Sequence, residues 1–333
     1  MRVRIIPAVV LLLVLVSALA SADDTLVTLA AGGLVPLKTT HISMESEDLH
    51  ISIHRIKVRY VFHNASANDI HAIVTFPLPD LAGDSLYVEP TALPNENSLN
   101  FVDFKVMLNG KPIPTRTEVR AFLNGRDITA RLRSAGLPPT VLFEPLNAAI
   151  RKLTPARRNR LAKDGLIVAA DFNPPLRSVG SHGWFATWTM RVRFYWTQRF
   201  PAHSDVELVQ TYRPVVGGSY ITEDGDGSEL VKPFCAGPKV LRQIKLHQRP
   251  YSVATSGNVV WWERNVDFIL KTANNWRGPI RRFRLLIMSD SPEDIFTTCM
   301  PGLKRVGATR YELVRRNFHP RQDLKLLILQ LNR

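Results

Sequence analysis

Apolar and polar residues alternate along much of the chain with the period of a β-strand. Ile56, Val58, Tyr60 and Phe62 alternate with Lys57, Arg59 and His63, so one face is apolar and the other basic or polar. Asn64 to Asp69 is turn chemistry. Ile70, Ala72, Val74 and Phe76 then alternate again until Pro77 and Pro79 end the run, because proline cannot donate to a ladder. Residues 46–80 therefore predict a half-buried antiparallel hairpin. A second hairpin is predicted at 188–212. Trp188, Met190, Val192, Phe194 and Trp196 share a face, and Val206, Leu208, Gln210 and Tyr212 return after the Phe200–Ser204 turn. Both hairpins have an apolar inner and a cationic outer face, which predicts one β-layer system. Between them, Phe104, Val106 and Leu108 lead to Asn109-Gly110, a two-residue hairpin signal. Lys111 to Arg120 returns as an edge or bulged strand, because it carries Pro112 and Pro114. Asn124-Gly125 is a second turn of the same type.

The period then changes. Asp127–Ala135 closed by Gly136, Pro145–Leu153, and a segment opened by Thr154-Pro155 and stopped at Gly165 read as short helices. They carry Arg151, Lys152, Arg157, Arg158, Arg160 and Lys163, a solvated basic face. Beyond Gly217-Gly218 and the acidic loop Glu223–Glu229, residues 239–247, 251–255, 258–271, 280–289, 309–315 and 323–330 read as short strands. The expected fold is mainly β: an antiparallel β-sandwich domain over 23–216 with a helical insertion at about 126–166, a Gly/Asp-rich linker at 217–231, and a second, basic β domain over 232–333.

The N-terminus changes the compartment. Arg2 and Arg4 precede an apolar run, Ile5 to Val16, and Ala20-Ser21-Ala22 is a small-x-small cleavage site. A signal peptide over 1–22, cut near Ala22, implies a periplasmic or extracellular protein. The run is shorter than the roughly 20 residues that span a bilayer. Cys235 and Cys299 are the two cysteines of the 333 residues, and in an exported chain they are expected to form one disulfide. Charge is divided unevenly. Residues 23–231 hold 22 basic and 22 acidic side chains, whereas 232–333 hold 19 and 7, a net +12. That asymmetry points to an anionic partner such as lipopolysaccharide or phospholipid headgroups, with Arg277, Arg281, Arg282 and Arg284 as the candidate anion-binding residues. Plain solubility in an anionic envelope is the alternative. Export argues against nucleic acid.

The sequence carries no Gly-x-Ser-x-Gly elbow, His-Glu-x-x-His, phosphate loop or dinucleotide fingerprint. Ser219 in Val216-Gly-Gly-Ser-Tyr220 reads as a turn residue. Glu45, Glu47 and Asp48 read as a solvated strand entry. Asp224, Asp226 and Glu229 are a weak calcium candidate, because a helix–loop–helix loop needs glycine sixth and glutamate twelfth, and neither register supplies both. His50, His54, His63 and His71 fall on polar strand faces. Trp261 and Trp262 are consecutive, so at most one faces solvent as a stacking platform, with Trp276 a further candidate. No cofactor is expected.

From Leu29 onward the chain resembles an uncharacterised family of exported bacterial proteins, known only as a domain of unknown function. The resemblance rests on Leu29-Ala-Ala-Gly-Gly-Leu34, Ser46-Glu-Asp-Leu49, Phe76-Pro-Leu-Pro-Asp80, Arg120–Thr129, Tyr212-Arg-Pro-Val-Val-Gly-Gly-Ser219, Asn275–Ile280 and Asn317–Leu324. It implies a bacterial, exported protein with paired cysteines, and it brings no activity, cofactor or catalytic residue. A shorter likeness, carried by Asn64-x-Ser66 and Phe76-Pro-Leu-Pro79, is to the β-sandwich domain of inter-alpha-trypsin-inhibitor heavy chains. The expected role is non-enzymatic, structural or interacting, in the cell envelope. The alternatives are an envelope hydrolase or glycan-binding module, and a periplasmic adaptor that binds another envelope protein.

Overall fold

A computed structural model of the chain describes residues 39–88, 93–95, 98–176, 180–222, 225–247 and 259–332. The expected signal peptide, the resemblance stretch Leu29–Leu34, Asp224 and the 251–255 strand lie outside them. In chain order, strands β1 (Ile42–Ile51), β2 (Ile56–Asn64), β3 (Ile70–Pro77) and β4 (Leu81–Ala82) lead to a one-turn helix, α1 (Ser85–Val88). Strands β5 (Lys105–Leu108), β6 (Lys111–Ile113), β7 (Arg116–Leu123) and β8 (Arg126–Asp127) precede helices α2 (Thr129–Ser134), α3 (Phe143–Arg151) and α4 (Pro155–Lys163). Then come β9 (Ile167–Leu176), β10 (Gly180–Ala186), β11 (Thr189–Phe200), β12 (Asp205–Tyr212) and β13 (Tyr220–Thr222). After α5 (Val231–Phe234) and α6 (Pro238–His247), the chain ends in β14 (Val259–Phe268), β15 (Ile280–Met288), β16 (Ile295–Thr298), β17 (Lys304–Gly307), β18 (Arg310–Phe318) and β19 (Leu324–Leu331).

The fold is mainly β, as the alternation predicts. An eight-stranded sheet runs β17-β18-β15-β1-β2-β12-β5-β6, and a second sheet runs β3-β11-β7-β8 with β4 also on β11. The two predicted hairpins do not form. β2 pairs with β1 and β12, whereas β3 pairs with β11. β11 and β12 likewise sit in different sheets. Each expected hairpin is instead an arch from one sheet to the other. Alternation reports which face of a strand is buried, and a strand facing its successor across a core has the same alternation as one bonded to it. The inward residues meet in one core, where Phe104 lies 4.5 Å from Phe194 and 4.8 Å from Phe76 between ring centroids.

Both arches are fastened at Asn64, whose side chain is fully buried. Its Nδ2 donates to Phe200 O and Asn68 O at 2.9 Å each, and its Oδ1 accepts from the Ser66 backbone N–H and hydroxyl. The tight hairpins at Asn109-Gly110 and Asn124-Gly125 form as predicted, with positive φ at all four residues. β6 is an edge strand, consistent with Pro112. The helical insertion also forms, with Thr154 capping α4 through Arg157 N–H.

The eight-stranded sheet crosses the expected division at 217–231, because β15 pairs parallel with β1. One core contains residues from Ile42 to Ile328. A second, smaller core of Ile221, Leu230, Ile244, Trp261, Leu327 and Leu329 lies on the sheet β13-β14-β19-β16. The disulfide Cys235–Cys299 closes beside it. Residues 239–247 are helical, not a strand. Gly237-Pro238 is a helix-start signal, and Val240, Leu241 and Ile244 have the three-to-four spacing that puts Ile244 fully inside.

Candidate functional site

Tyr212 to Ser219 links the large sheet to the smaller one. After β12 ends at Tyr212, the chain turns through Arg213-Pro214 and runs along β14. Asn265 N–H donates to Gly217 O at 2.7 Å, and Glu263 N–H donates to Ser219 O at 2.9 Å. The approach is close enough that a Cβ on Gly218 would strike Glu263 O. This passage lines depressions on both of its sides.

On one side is a cavity of about 300 Å³, at the small end of the range for small-molecule sites. Leu78, Leu81, Phe101, Val102, Tyr212 and Val215 form its apolar wall, and Asp80, Ser85, Asn265 and Asp267 supply polar groups. The Asp80 carboxylate accepts from Arg191 Nε at 2.8 Å. Asp267 is solvent-accessible at the rim. Burial of part of its surroundings nevertheless pushes its carboxyl above the ordinary range, opposed by Lys325 on the paired strand and reinforced by Asp323. The buried Oδ1 of Asn265 has no hydrogen-bond partner among the described residues. Phe76–Asp80 and Tyr212–Ser219, two of the stretches that carry the family resemblance, thus meet at one cavity.

On the other side are two cationic depressions. One, of about 430 Å³, is lined by Ile53, His54, Pro94, Arg213, Arg264 and Gln330 among others. The other, of about 520 Å³, is lined by His54, Arg55, Asp103, Lys105, Thr211 and Arg213 with Tyr212. His54 is held by Asp290 at 2.9 Å, and Arg213 lies 3.6 Å from Asp103.

The family described as "Domain of unknown function (DUF4424)" matches residues 22–327. The chain belongs to this family. No curated protein matches the chain, and the likeness to inter-alpha-trypsin-inhibitor domains finds no support. Among solved structures, a Legionella pneumophila protein described as a "putative nutrient binding protein" is similar at 15% identity. The match covers 90% of this chain and 70% of that one with a TM-score of 0.43, an overlap too loose to define a shared fold.

In this family member the predicted anion-binding arginines are largely occupied. Arg281 lies 3.2 Å from Glu45, Arg282 3.6 Å from Asp48, and Arg284 Nε donates to Glu312 at 2.6 Å. Their carboxylate partners come from β1 and β18, next to β15. Arg277 is exposed beside the start of β1, where its N–H donates to Ile42 O. Glu45, Glu47 and Asp48 do not converge, and Glu47 is not solvated: it points inward and is 2% exposed. For the calcium candidate, Asp226 accepts from Ser228 N–H as a turn residue, which holds its carboxyl below the usual range. Among the described residues no three His, Cys, Asp or Glu side chains are grouped for a metal. Trp261 is buried, whereas Trp262 is partly exposed between Tyr220 and Arg264. Trp188, Trp196 and Trp276 are core. Sequence reasoning missed Asp80, Asn265, Asp267, Arg55, Lys105 and Arg213. Asp80 and Arg213 lie within the resemblance stretches. The others carry no local signal.

Proposed function

We propose that the protein is an exported, non-enzymatic binding component of the bacterial envelope whose ligand site surrounds Tyr212–Gly217. The observation that carries this reading is the convergence of three depressions on that passage, with segments from β3–β4, β12 and β14 contributing to one cavity. A concave site with an apolar wall and a few polar groups is the usual form of a small-ligand site. The signal-peptide pattern and the disulfide support export. The test is extraction and mass spectrometry of small molecules carried by the purified chain, against Val215→Trp, which fills the cavity from its partly buried wall. The reading expects a bound compound that the variant loses while its melting temperature changes little. Equal recovery from both chains refutes the cavity as the site.

One observation favours a hydrolase as the second reading. Asp80 and Asp267 line the same cavity in different environments, one ion-paired with Arg191 and one with its carboxyl raised by burial. Such pairs divide acid and base roles in hydrolytic sites. If the extracted compound gains one water on incubation with the chain, and Asp267→Asn stops that gain, the second reading replaces the first.

A further inference from the structure

We propose that the end of the eight-stranded sheet beside Arg213 binds a phosphate group, held by Arg55 and Lys105. The inference deepens the binding role proposed above by naming the ligand chemistry. It rests on how charge is distributed along the outer face of β1, β2, β12 and β5. At the far end charges are matched: Arg59 lies 3.9 Å from Asp48 and donates to Glu207, and His63 contacts Asp205 at 2.7 Å. At the near end they are not. Lys57, Thr211 and Lys105 form one cross-strand row by register, so the two lysine stems rise about 10 Å apart with the threonine hydroxyl between them. Arg55 stands in the β1–β2 turn, and Arg213 follows the last residue of β12. Among the described residues Arg55, Lys57 and Lys105 have no carboxylate within ion-pair distance, and Asp103 reaches Arg213 alone.

Like charges crowded on one sheet face repel each other, and an anion between them turns the repulsion into attraction. The group best matched is phosphate. The Arg55 guanidinium fork, the Lys105 ammonium and the Thr211 hydroxyl line one depression of about 520 Å³, and a tetrahedral phosphate offers enough oxygens to accept from all of them. The source is either a soluble phosphate ester or a phospholipid headgroup.

The full chain is titrated by calorimetry with inorganic phosphate and with sn-glycerol 3-phosphate, and floated with vesicles of phosphatidylglycerol or of phosphatidylcholine alone, at low and physiological salt. The expected result is saturable binding that weakens with salt and falls roughly tenfold or more in Arg55→Gln/Lys105→Gln, with melting curves confirming that the variant folds. The control Arg281→Gln/Arg282→Gln, whose guanidinium groups are already paired, retains binding. Soluble phosphate binding identifies a free ester, and retention on phosphatidylglycerol without it identifies a headgroup; either sustains the proposal. Binding in neither arm, or equal loss in the control, overturns it. A different compound in the Tyr212 cavity, with no phosphate response, removes this inference and leaves the binding role standing.

Discussion

Glu47 offers the sharpest test of how the core is built. It is an inward residue of β1, opposite Tyr60 on β2 and Phe283 on β15, and is 2% exposed. Its Oε2 is buried without a hydrogen-bond partner among the described residues. Burial, with the Asp48 charge adding to it, pushes its carboxyl from 4.5 up to about 8. The folded chain therefore keeps the proton over a range in which the unfolded chain releases it. A carboxyl raised on folding contributes stability below its unfolded pKa, and that stability drains away as pH rises towards the folded pKa. Each pH unit removes about 1.4 kcal/mol, so the loss between pH 5 and pH 8 is on the order of 4 kcal/mol. Glu47→Gln keeps the shape of the protonated acid and removes the titration. Urea unfolding at several pH values, with the disulfide intact, is the assay. The two chains should have similar stability near pH 5, and the variant should be more stable by about 4 kcal/mol at pH 8. Glu263 and Asp267, whose carboxyls burial also raises, are present in both chains and cancel in the difference. Stability curves that run parallel from pH 5 to pH 8 would show that Glu47 titrates normally and does not sit in the core.

Two further outcomes follow from the fold. Asn64→Ala removes three hydrogen bonds within its own turn and the one to Phe200 O that joins the two arches, so unfolding in denaturant should show a loss of about 3 kcal/mol. Cys235→Ala/Cys299→Ala opens a loop with a sequence separation of 64 residues and should cost about 4 kcal/mol of stability, measured against the oxidised chain by the same unfolding experiment. Proteolysis of that variant should begin near the small core of Ile221, Leu230 and Trp261, because the bridge joins the end of α5 to the end of β16 there.

Local chemistry was the legible part of the fold. Asn109-Gly110 and Asn124-Gly125 specify their turns because both positions need positive φ, and the Thr154-Pro155 start of α4 is a cap with a matching first residue. The buried face of each long strand was legible for the same reason, since a period of two is a property of the strand alone. Partner choice was not. Nothing in Ile56–Asn64 distinguishes a neighbour at Ile70 from one at Ile42, and the arch at Asn64 reads locally as an ordinary turn. The buried acid Glu47 was hidden as well, because beside Glu45 and Asp48 it looks like a charged strand entry. It is alternation that turns its side chain the opposite way from those of its neighbours on β1.

The candidate site was obscured by the same non-local pairing. The excess of +12 in residues 232–333 reads as a cationic surface only if that stretch stands apart. In the fold, β15 lies between β1 and β18, and Glu45, Asp48 and Glu312 reach across to Arg281, Arg282 and Arg284. A parallel neighbour from the charge-balanced half thus neutralises much of the face that composition marked. Meanwhile, among the described residues, the half with no net charge leaves Arg55, Lys57 and Lys105 without carboxylates, while Asp48 and Glu207 pair with Arg59, Asp69 with Arg199 and Asp80 with Arg191. Net charge by segment is blind to this exchange. What decides where an anion can settle is which cations the sheet register leaves without a partner, and by that criterion the site moves from β15 to the end of β12.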